Sequence, residues 1–425
     1  MPSVNLVKYA KNNEARIYGF DETTIERNGK IINRVLMGTY LRVTHEEGDY
    51  YFVITAGNNG WIHKDDTTDQ MGLKVFYLDV GQGDGALLEA GDYRILIDGG
   101  PGANMKNYLT NWQYTYLLQA NKKVHIDAVY ISHFDSDHYS GLIELLENVN
   151  FTFGTVYHNG IGKFVTDNRP DKYNTTLGET RRHGGKQFLK TCFNSLDDLL
   201  ALQQEGYLQN EFTRFVFALN NAHEQQRLQS VQRLRKGDII PDVVIENKPF
   251  QIQVLGPVCT DLDDFPYFKD ESHTVNGHSL VLKITFGTCT LLFGGDLNTD
   301  SEHYLLEAYR DQPGILEVDV AKSCHHGASE FTIPFMDAVK PYATVISSGD
   351  NETYSHPRAD AIGCAGRYSK GPRPLVFSTE LARSVSKTKI IFGMINLRCN
   401  GESIYMAQMK ESKSPSDMWD SYLVK

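Results

Sequence analysis

The stretch Ile131-Ser-His-Phe-Asp-Ser-Asp-His-Tyr-Ser-Gly-Leu142 decides how this chain is read. His133, Asp135, Asp137 and His138 fall within six residues, directly after the apolar run IDAVYIS and directly before HYSGLIELLENV, whose apolar residues recur at helical spacing. A loop at a strand-to-helix junction can turn all four side chains toward one point, which neither a regular strand nor a regular helix allows. Mixed imidazole and carboxylate donors suit Zn²⁺, Mn²⁺ or Fe, and four donors this close suit two ions. The plainer reading is a helix N-terminus capped by Asp or Ser. A cap needs one such residue and four are present.

Outward from this stretch, two further clusters sit at the ends of apolar strands. LLFGGD delivers Asp296, and VDVAKSCHHGASEF delivers His325 and His326, with Gly327 allowing close backbone approach. On the N-terminal side, LKVFYLDVGQGDGALLEAGDYRILIDGG reads as strands around the turn Gly81-Gln82-Gly83-Asp84-Gly85 and ending at Asp98. That turn has the look of a phosphate-cradling loop, but the strand ALLE follows it where a dinucleotide site requires a helix. Asp79, Asp84 and Asp98, taken singly, are turn residues. Later strands are expected at FQIQVLGP, SLVLKITF, TCTLLFGGD, ATVISSGD, KIIFGMINLRC and SIYMAQMK. Strand alternation points Cys324 away from its neighbour His325 and into the core.

The motif order H-x-D-x-D-H, G-D, H-H-G resembles the metallo-β-lactamase fold. DVGQGDG, ILIDGG, SHFDSDHYSGL, NGHSLVL, LLFGGDL, SCHHGASE and YSHPR together resemble more closely the hydrolase domain of the DNA-uptake competence protein ComEC and its stand-alone relatives, over roughly residues 73–410 apart from an insert. The resemblance implies an α/β chain with a four-layer αββα architecture and two divalent ions, with zinc the first expectation and manganese the second. His133 and Asp135 would hold one ion and Asp137 and His138 the other; Asp296 would bridge them, and His325, ahead of His326, would complete the second. Asp135 stands where the general fold has His. His278, in NGHSLVL, is offset from the position of a further family ligand, and Asn276 occupies a place where the ComEC-like pattern has Asn; a hydrogen-bonding role for His278 is the stronger reading, and His158 has a weaker claim still. The resemblance also sets the Asp84 turn and Asp98 beside the metals, where carboxylates orient ligating histidines. With Asp137, Asp84 and His356 of YSHP are the residues placed nearest the chemistry, His356 as proton donor or substrate contact.

Ahead of this unit, RVLMGTYLRVTHEEGDYYFVITAGNNGWIHKDD alternates apolar and polar residues at period two. Met37-Gly38-Thr39 and Gly60-Trp61-Ile62 resemble bacterial SH3-type domains. The expected organisation is an SH3-type β-barrel over 1–70, the polar linker DDTTDQMG, and the hydrolase unit over 73–425 with a helical insert at about 160–250. The insert's helices are expected at QFLKTCFNSLDDLLALQQEGYL and FTRFVFALNNAHEQQRLQSVQRL. Residues 181–236 carry nine Lys/Arg against five Asp/Glu. This is either an ordinary solvated helical face or a cap that meets an anionic substrate.

The whole chain of 425 residues has 42 Lys+Arg and 53 Asp+Glu, a net charge of −11. That sign disfavours binding nucleic acid through a broad basic surface. No stretch reaches the roughly 18 apolar residues of a membrane span, the start MPSVNLVKYAKNNEAR has no apolar core of a signal peptide, and six scattered cysteines fit reduced thiols, so a cytoplasmic protein is expected. The functional expectation is a binuclear metal-dependent hydrolase, foremost a phosphodiesterase or nuclease acting through a metal-bridging hydroxide on a nucleic acid, nucleotide or phosphodiester headgroup. The alternatives are hydrolysis of a lactone, thioester or amide, and a non-catalytic scaffold that binds a protein partner through the SH3-type domain.

Overall fold

The computed structural model describes residues 3–23, 25–260, 262–349, 353–380, 395–410 and 414–425. Two large sheets lie face to face. The first has nine strands in the order Leu228–Arg233, Phe151–His158, Val124–Tyr130, Tyr93–Gly99, Gly85–Ala90, Leu73–Tyr77, Ile395–Cys399, Ile404–Met409 and Trp419–Leu423; the first four of these run parallel. The second has seven, Val243–Ile245, Lys248–Gly256, Val281–Phe286, Cys289–Phe293, Val320–Lys322, Ala343–Ile346 and Leu375–Ser378, with the last four parallel.

Strand alternation sorts the core into three apolar layers. Leu88, Ile95 and Ile97 of the first sheet meet Ile252, Leu282, Ile284 and Val320 of the second between the sheets. Their strand neighbours Leu87 and Leu96 face the other way, against Leu142 and Phe212 of the helices Ser136–Leu146 and Asn210–Glu224. On the far side, Val281 and Leu292 pack under Leu305 and Phe335 of the helices Thr299–Ala308 and Ile333–Val339. This is the four-layer αββα order expected from the sequence.

The insert differs from a purely helical expectation. QFL lies in the hairpin Thr180–His183/Lys186–Leu189, and only Leu196–Gln204 of the first expected helix is helical. The second helix ends at Glu224, and LQSVQR continues as the parallel edge strand of the nine-stranded sheet. Here period-two burial beside Phe151–His158 wins over a sequence that also reads as amphipathic helix. Of the strand expected at KIIFGMINLRC, residues 389–394 lie outside the described residues.

The N-terminal residues form a separate antiparallel sheet of seven strands between Ser3 and Thr68. Trp61 is buried edge-on against Phe52, and its indole N–H donates to the Ile25 carbonyl (2.7 Å). This sheet touches the large unit where Arg34 Nε donates to Ser416 O (3.1 Å), and the linker after it is held where Glu246 accepts from the Met71 and Gly72 amides.

One buried charge ladder crosses the helix-facing side of the nine-stranded sheet. Arg94, Glu89, Lys74 and Arg398 stand directly opposite one another on four adjacent strands. Glu89 is the lone carboxylate in that row, 2.7 Å from Lys74 Nζ and accepting from Tyr114 Oη at 2.8 Å. Burial pushes its carboxyl up, but the charge and hydrogen bond of Lys74 outweigh burial and hold it at about 2. Since the unfolded value is about 4.3, this stabilisation is complete above that pH and is lost as pH falls toward 2. Glu89→Gln is expected to cost about 3–5 kcal/mol by leaving Lys74 buried without a counter-charge. Urea unfolding at pH 7 measures the loss, and the wild-type acid limb between pH 4.5 and 2 should flatten in the variant.

Candidate metal centre

Every chemistry-bearing motif sits at the carboxyl end of a strand of one of the two sheets, so the sandwich brings them to one edge. The first sheet supplies the loop after Val124–Tyr130, with His133, Asp135, Asp137 and His138, and Asp98 at the end of Tyr93–Gly99. The second supplies Asp296 after Cys289–Phe293 and His325 and His326 after Val320–Lys322. The Gly81–Gly85 turn closes the site from the side. Gly83 is required there, because at φ 131° a Cβ would lie 2.1 Å from the Asp137 carbonyl oxygen.

Asp296 is the hub. Its carboxylate lies 3.3 Å from His138 Nε2, 3.2 Å from His326 Nε2 and 3.9 Å from His325 Nε2, while Asp137 Oδ2 is 3.3 Å from His326 Nε2. His133 Nε2 faces Asp135 Oδ2 at 3.7 Å. Asp135 occupies the N-cap position of Ser136–Leu146, yet its side chain makes no capping hydrogen bond; its other oxygen holds the ammonium of Lys163. The plain capping reading therefore does not describe this residue.

The histidines are held from behind. His138 Nδ1 meets Asp98 Oδ2 (3.0 Å) and Ser132 Oγ (3.2 Å); His133 Nδ1 meets Ser132 Oγ (3.0 Å) and Ser279 Oγ (3.2 Å); His326 Nδ1 meets Ser347 O (3.1 Å) and Asp84 Oδ1 (3.2 Å). Their Nε2 atoms, like Asp296 Oδ1, are buried without a hydrogen-bond partner. Imidazoles fixed at one nitrogen and bare at the other, converging on a carboxylate, are what metal ligation requires.

One ligand atom each from Asp84, His138, Asp296 and His326 lie within 4.8 Å of one another. Asp84, however, stands on the Nδ1 side of His326 and is ion-paired to the buried Lys322. Geometry thus makes it an orienting group and leaves Asp137 on the Nε2 side. Of the tandem histidines, His326 is buried in the cluster, whereas His325 turns toward Glu330 (3.5 Å) and Asn276 (3.5 Å). Both are left-handed, φ 49° and 54°, as is Asp98 at 56°. Such backbone costs on the order of 1–3 kcal/mol per residue and survives only where the surroundings impose it.

Burial pushes the His138 and His326 imidazoles down, but Asp296, with Asp137 and Asp98 around His138 and Asp84 beside His326, outweighs burial and raises both well above the ordinary range. The same imidazoles hold Asp296 well below it. The cluster is a pocket of negative field that calls for positive charge at its centre.

Other candidates lie elsewhere. His278 is sandwiched by Phe265 and Phe268, its Nε2 2.7 Å from the Pro266 carbonyl oxygen, and burial pushes it down to about 4. It is outside the cluster. His158 is buried against Phe193, also away from it, and is pushed down to about 3. His356 is at the mouth, its ring 5.9 Å from His325 and 6.2 Å from His326. Asp79 accepts from Gly81 N (3.3 Å) within its own turn.

Sequence reading missed Lys322, Ser132, Ser279 and Lys163. A lysine closing the otherwise apolar strand Val320–Lys322 was the available signal for the first; the serines carried none. The insert's cations are mostly neutralised: Arg181 by Asp264, Lys190 by Glu179, Arg214 by Glu144 and Glu147, and Arg233 and Arg235 by Asp263. Arg227 donates to the backbone carbonyls of Leu146 and Phe151. The insert does not present the broad basic face that its composition suggested.

The loop bearing His325 and His326 is tied to the helix after Asp296 through Glu302, which is fully buried and accepts from the Thr332 amide. Cys324 lines the same apolar cavity as Glu302, on the opposite side of its loop from the cluster. Burial pushes the Glu302 carboxyl up to about 8. Because the unfolded chain ionises first, this group lowers stability progressively from pH of about 4.3 to 8 and by a constant amount above. Glu302→Gln keeps an acceptor for Thr332 and should raise the melting temperature at pH 8 while leaving it unchanged at pH 4. Thermal unfolding across that range checks both ends.

Residues 78–208 match the profile of the Metallo-beta-lactamase superfamily. ComE operon protein 3 of Bacillus subtilis is 28% identical over 141 residues, which is 33% of this chain and 16% of that protein. Competence protein ComA of Neisseria gonorrhoeae is 39% identical over 83 residues, 19% of this chain and 12% of that protein. The chain thus aligns with only a small part of either relative. Among solved structures, the metallo-beta-lactamase fold protein YhfI of Bacillus subtilis covers 72% of this chain and 95% of its own at 12% identity and a TM-score of 0.37, and human tRNase Z, short form, covers 66% and 94% at 12% and 0.32. With its αββα layers and the superfamily match, the chain has the metallo-β-lactamase fold.

Proposed function

We propose that the chain is a binuclear metal-dependent hydrolase whose preferred substrate is a phosphodiester, and that it acts as a phosphodiesterase or nuclease. The observation that carries this reading is the convergence of the bare Nε2 atoms of His138 and His326 on Asp296, with the bare Nε2 of His133 facing Asp135, each ring fixed from behind. His133 and Asp135 would hold one divalent ion, Asp137, His138 and His326 a second, and Asp296 both, with zinc or manganese the fitting metals for this imidazole and carboxylate set. When bound, such ions supply Lewis acidity and lower the pKa of coordinated water toward neutrality. The chain's own residues do the rest. Asp98, Asp84, Ser132 and Ser279 keep the imidazoles oriented, and His356, at the mouth, is placed to give a proton to the departing oxygen.

Two competence proteins are among the relatives; the resemblance to the nuclease-like ComEC hydrolase domain and the match of an anionic diester to divalent charge favour a phosphodiester over a carbonyl substrate. No helix among the described residues is long and apolar enough to cross a membrane. We read the protein as cytoplasmic and the N-terminal sheet as an SH3-type module of a two-domain chain, packed on the hydrolase unit and open to a protein partner.

Protein purified without chelator should carry close to two equivalents of metal by inductively coupled plasma analysis and hydrolyse bis(p-nitrophenyl) phosphate. Asp137→Ala and His138→Ala should each lower the rate by at least about 100-fold, and Asp98→Asn by about 10–100-fold. His356→Ala should spare p-nitrophenyl leaving groups and slow a dinucleotide by about 100-fold. Absence of bound metal, or full activity in Asp137→Ala, overturns the reading.

A further inference from the structure

Lys163 is the insert's one described cation that reaches the histidine and aspartate cluster. It ends the loop Gly160-Ile161-Gly162-Lys163 after the strand Phe151–His158, and its place is fixed: its carbonyl accepts from Gln209 N (2.9 Å), and Ile161 and Phe164 on either side are fully buried. The side chain is only 15% exposed, and the ammonium sits on Asp135 Oδ1. The opposite oxygen of Asp135 faces His133. The two edges of this carboxylate therefore have different partners, an imidazole on the cluster side and a lysine on the insert side.

The other buried lysine of the region cannot serve the same purpose. Lys322 is 4% exposed and pairs with Asp84 behind His326. The arginines of residues 181–236 are held by Asp263, Asp264, Glu144 and Glu147 or by backbone carbonyls, apart from the exposed Arg182. Among the described cations of the insert, the charge that reaches the cluster is this one ammonium. An ammonium has three N–H donors, and Asp135 engages one edge of it.

We propose that Lys163 selects anionic substrates: it steadies Asp135 with one N–H and offers the others to a non-bridging oxygen of the phosphodiester. This rests on the phosphodiesterase reading above. Lys163 is a substrate-binding residue in this assignment and takes no part in bond making or breaking. A lysine that only neutralised Asp135 would instead be needed equally for every substrate and for metal retention.

The test compares Lys163→Ala, Lys163→Gln and Lys163→Arg with the wild type in four measurements. These are metal content, binding of inorganic phosphate by calorimetry to the metal-loaded protein, hydrolysis of bis(p-nitrophenyl) phosphate, and hydrolysis of the uncharged triester diethyl p-nitrophenyl phosphate. A charge-assisted hydrogen bond contributes about 1.5–3 kcal/mol, so Ala and Gln should weaken phosphate binding and raise KM for the diester by about 10–100-fold. Any fall in metal content, kcat or triester rate, which would report on the Asp135 contact, should be small beside the loss of phosphate binding and the rise in diester KM, and Arg should restore much of that loss. Unchanged phosphate affinity and diester KM in folded Gln protein overturn the assignment, as does an equal loss on diester and triester or a loss of metal as large as the loss of phosphate binding. A wild type that carries metal and hydrolyses the triester but not the diester overturns the phosphodiesterase reading itself; phosphate binding then still reports on Lys163 without turnover.

Discussion

The structure is organised around Asp296, a carboxylate buried at the edge of two sheets with imidazoles as its neighbours. A charge in that position costs several kcal/mol to desolvate and persists only where opposite charge is brought to it. His138 comes from the first sheet and His326 from the second, so the fold's two halves meet electrostatically at this point as well as through their apolar faces. Each half must deliver its residues to within about one hydrogen-bond length of the other's. Parallel strands ending at the same edge provide that delivery, because the loops after them can diverge in sequence while their starting points stay fixed.

The backbone shows where the demand is greatest. Asp98, His325 and His326 are left-handed non-glycine residues, and all three touch the cluster directly or through one partner. Ordinary turns would have used glycine or asparagine there. The chain tolerates the strain because each residue is tied in several ways. His325 N donates to Gly295 O, His326 is held by Ser347 and Asp84, and the loop beyond them is fixed by Glu302 on the Thr332 amide. Rigidity at the site is thus built from interactions that are themselves remote from it.

How much of this was readable in the sequence follows from the same physics. The four-donor loop, Asp296 and the tandem histidines were legible because each ends an apolar run, and apolar runs mark strands. Which tandem histidine enters the cluster was not, since consecutive left-handed residues break the alternation on which any guess between them rests, and His326 rather than the favoured His325 takes the central place. His278 reads as a near-ligand by spacing, but Phe265 and Phe268 enclose its ring and Pro266 takes its nitrogen. LQSVQR satisfied both helical and strand periods, and only the open edge beside Phe151–His158 decided between them. Lys163 was not legible because it lies outside the basic stretch, and that stretch gives five of its nine cations to carboxylates that lie before or after it.

That pairing alters what the net charge of −11 means. A protein that captures polyanions by a basic surface releases many counterions and loses affinity steeply with salt. Here Asp263 alone holds two arginines of the insert, and Glu144 and Glu147 together hold a third. On the proposed reading, what the cluster offers an anionic substrate is short-ranged: the charge of the divalent ions it would hold and the nearly buried ammonium of Lys163 beside Asp135. Recognition of the proposed kind would depend on a single phosphodiester group reaching the pocket, not on the length of chain attached to it. It follows that a small diester and an oligonucleotide should meet the same local contacts, with the longer molecule gaining only what the exposed residues of the insert, such as Arg182 and Lys186, add outside.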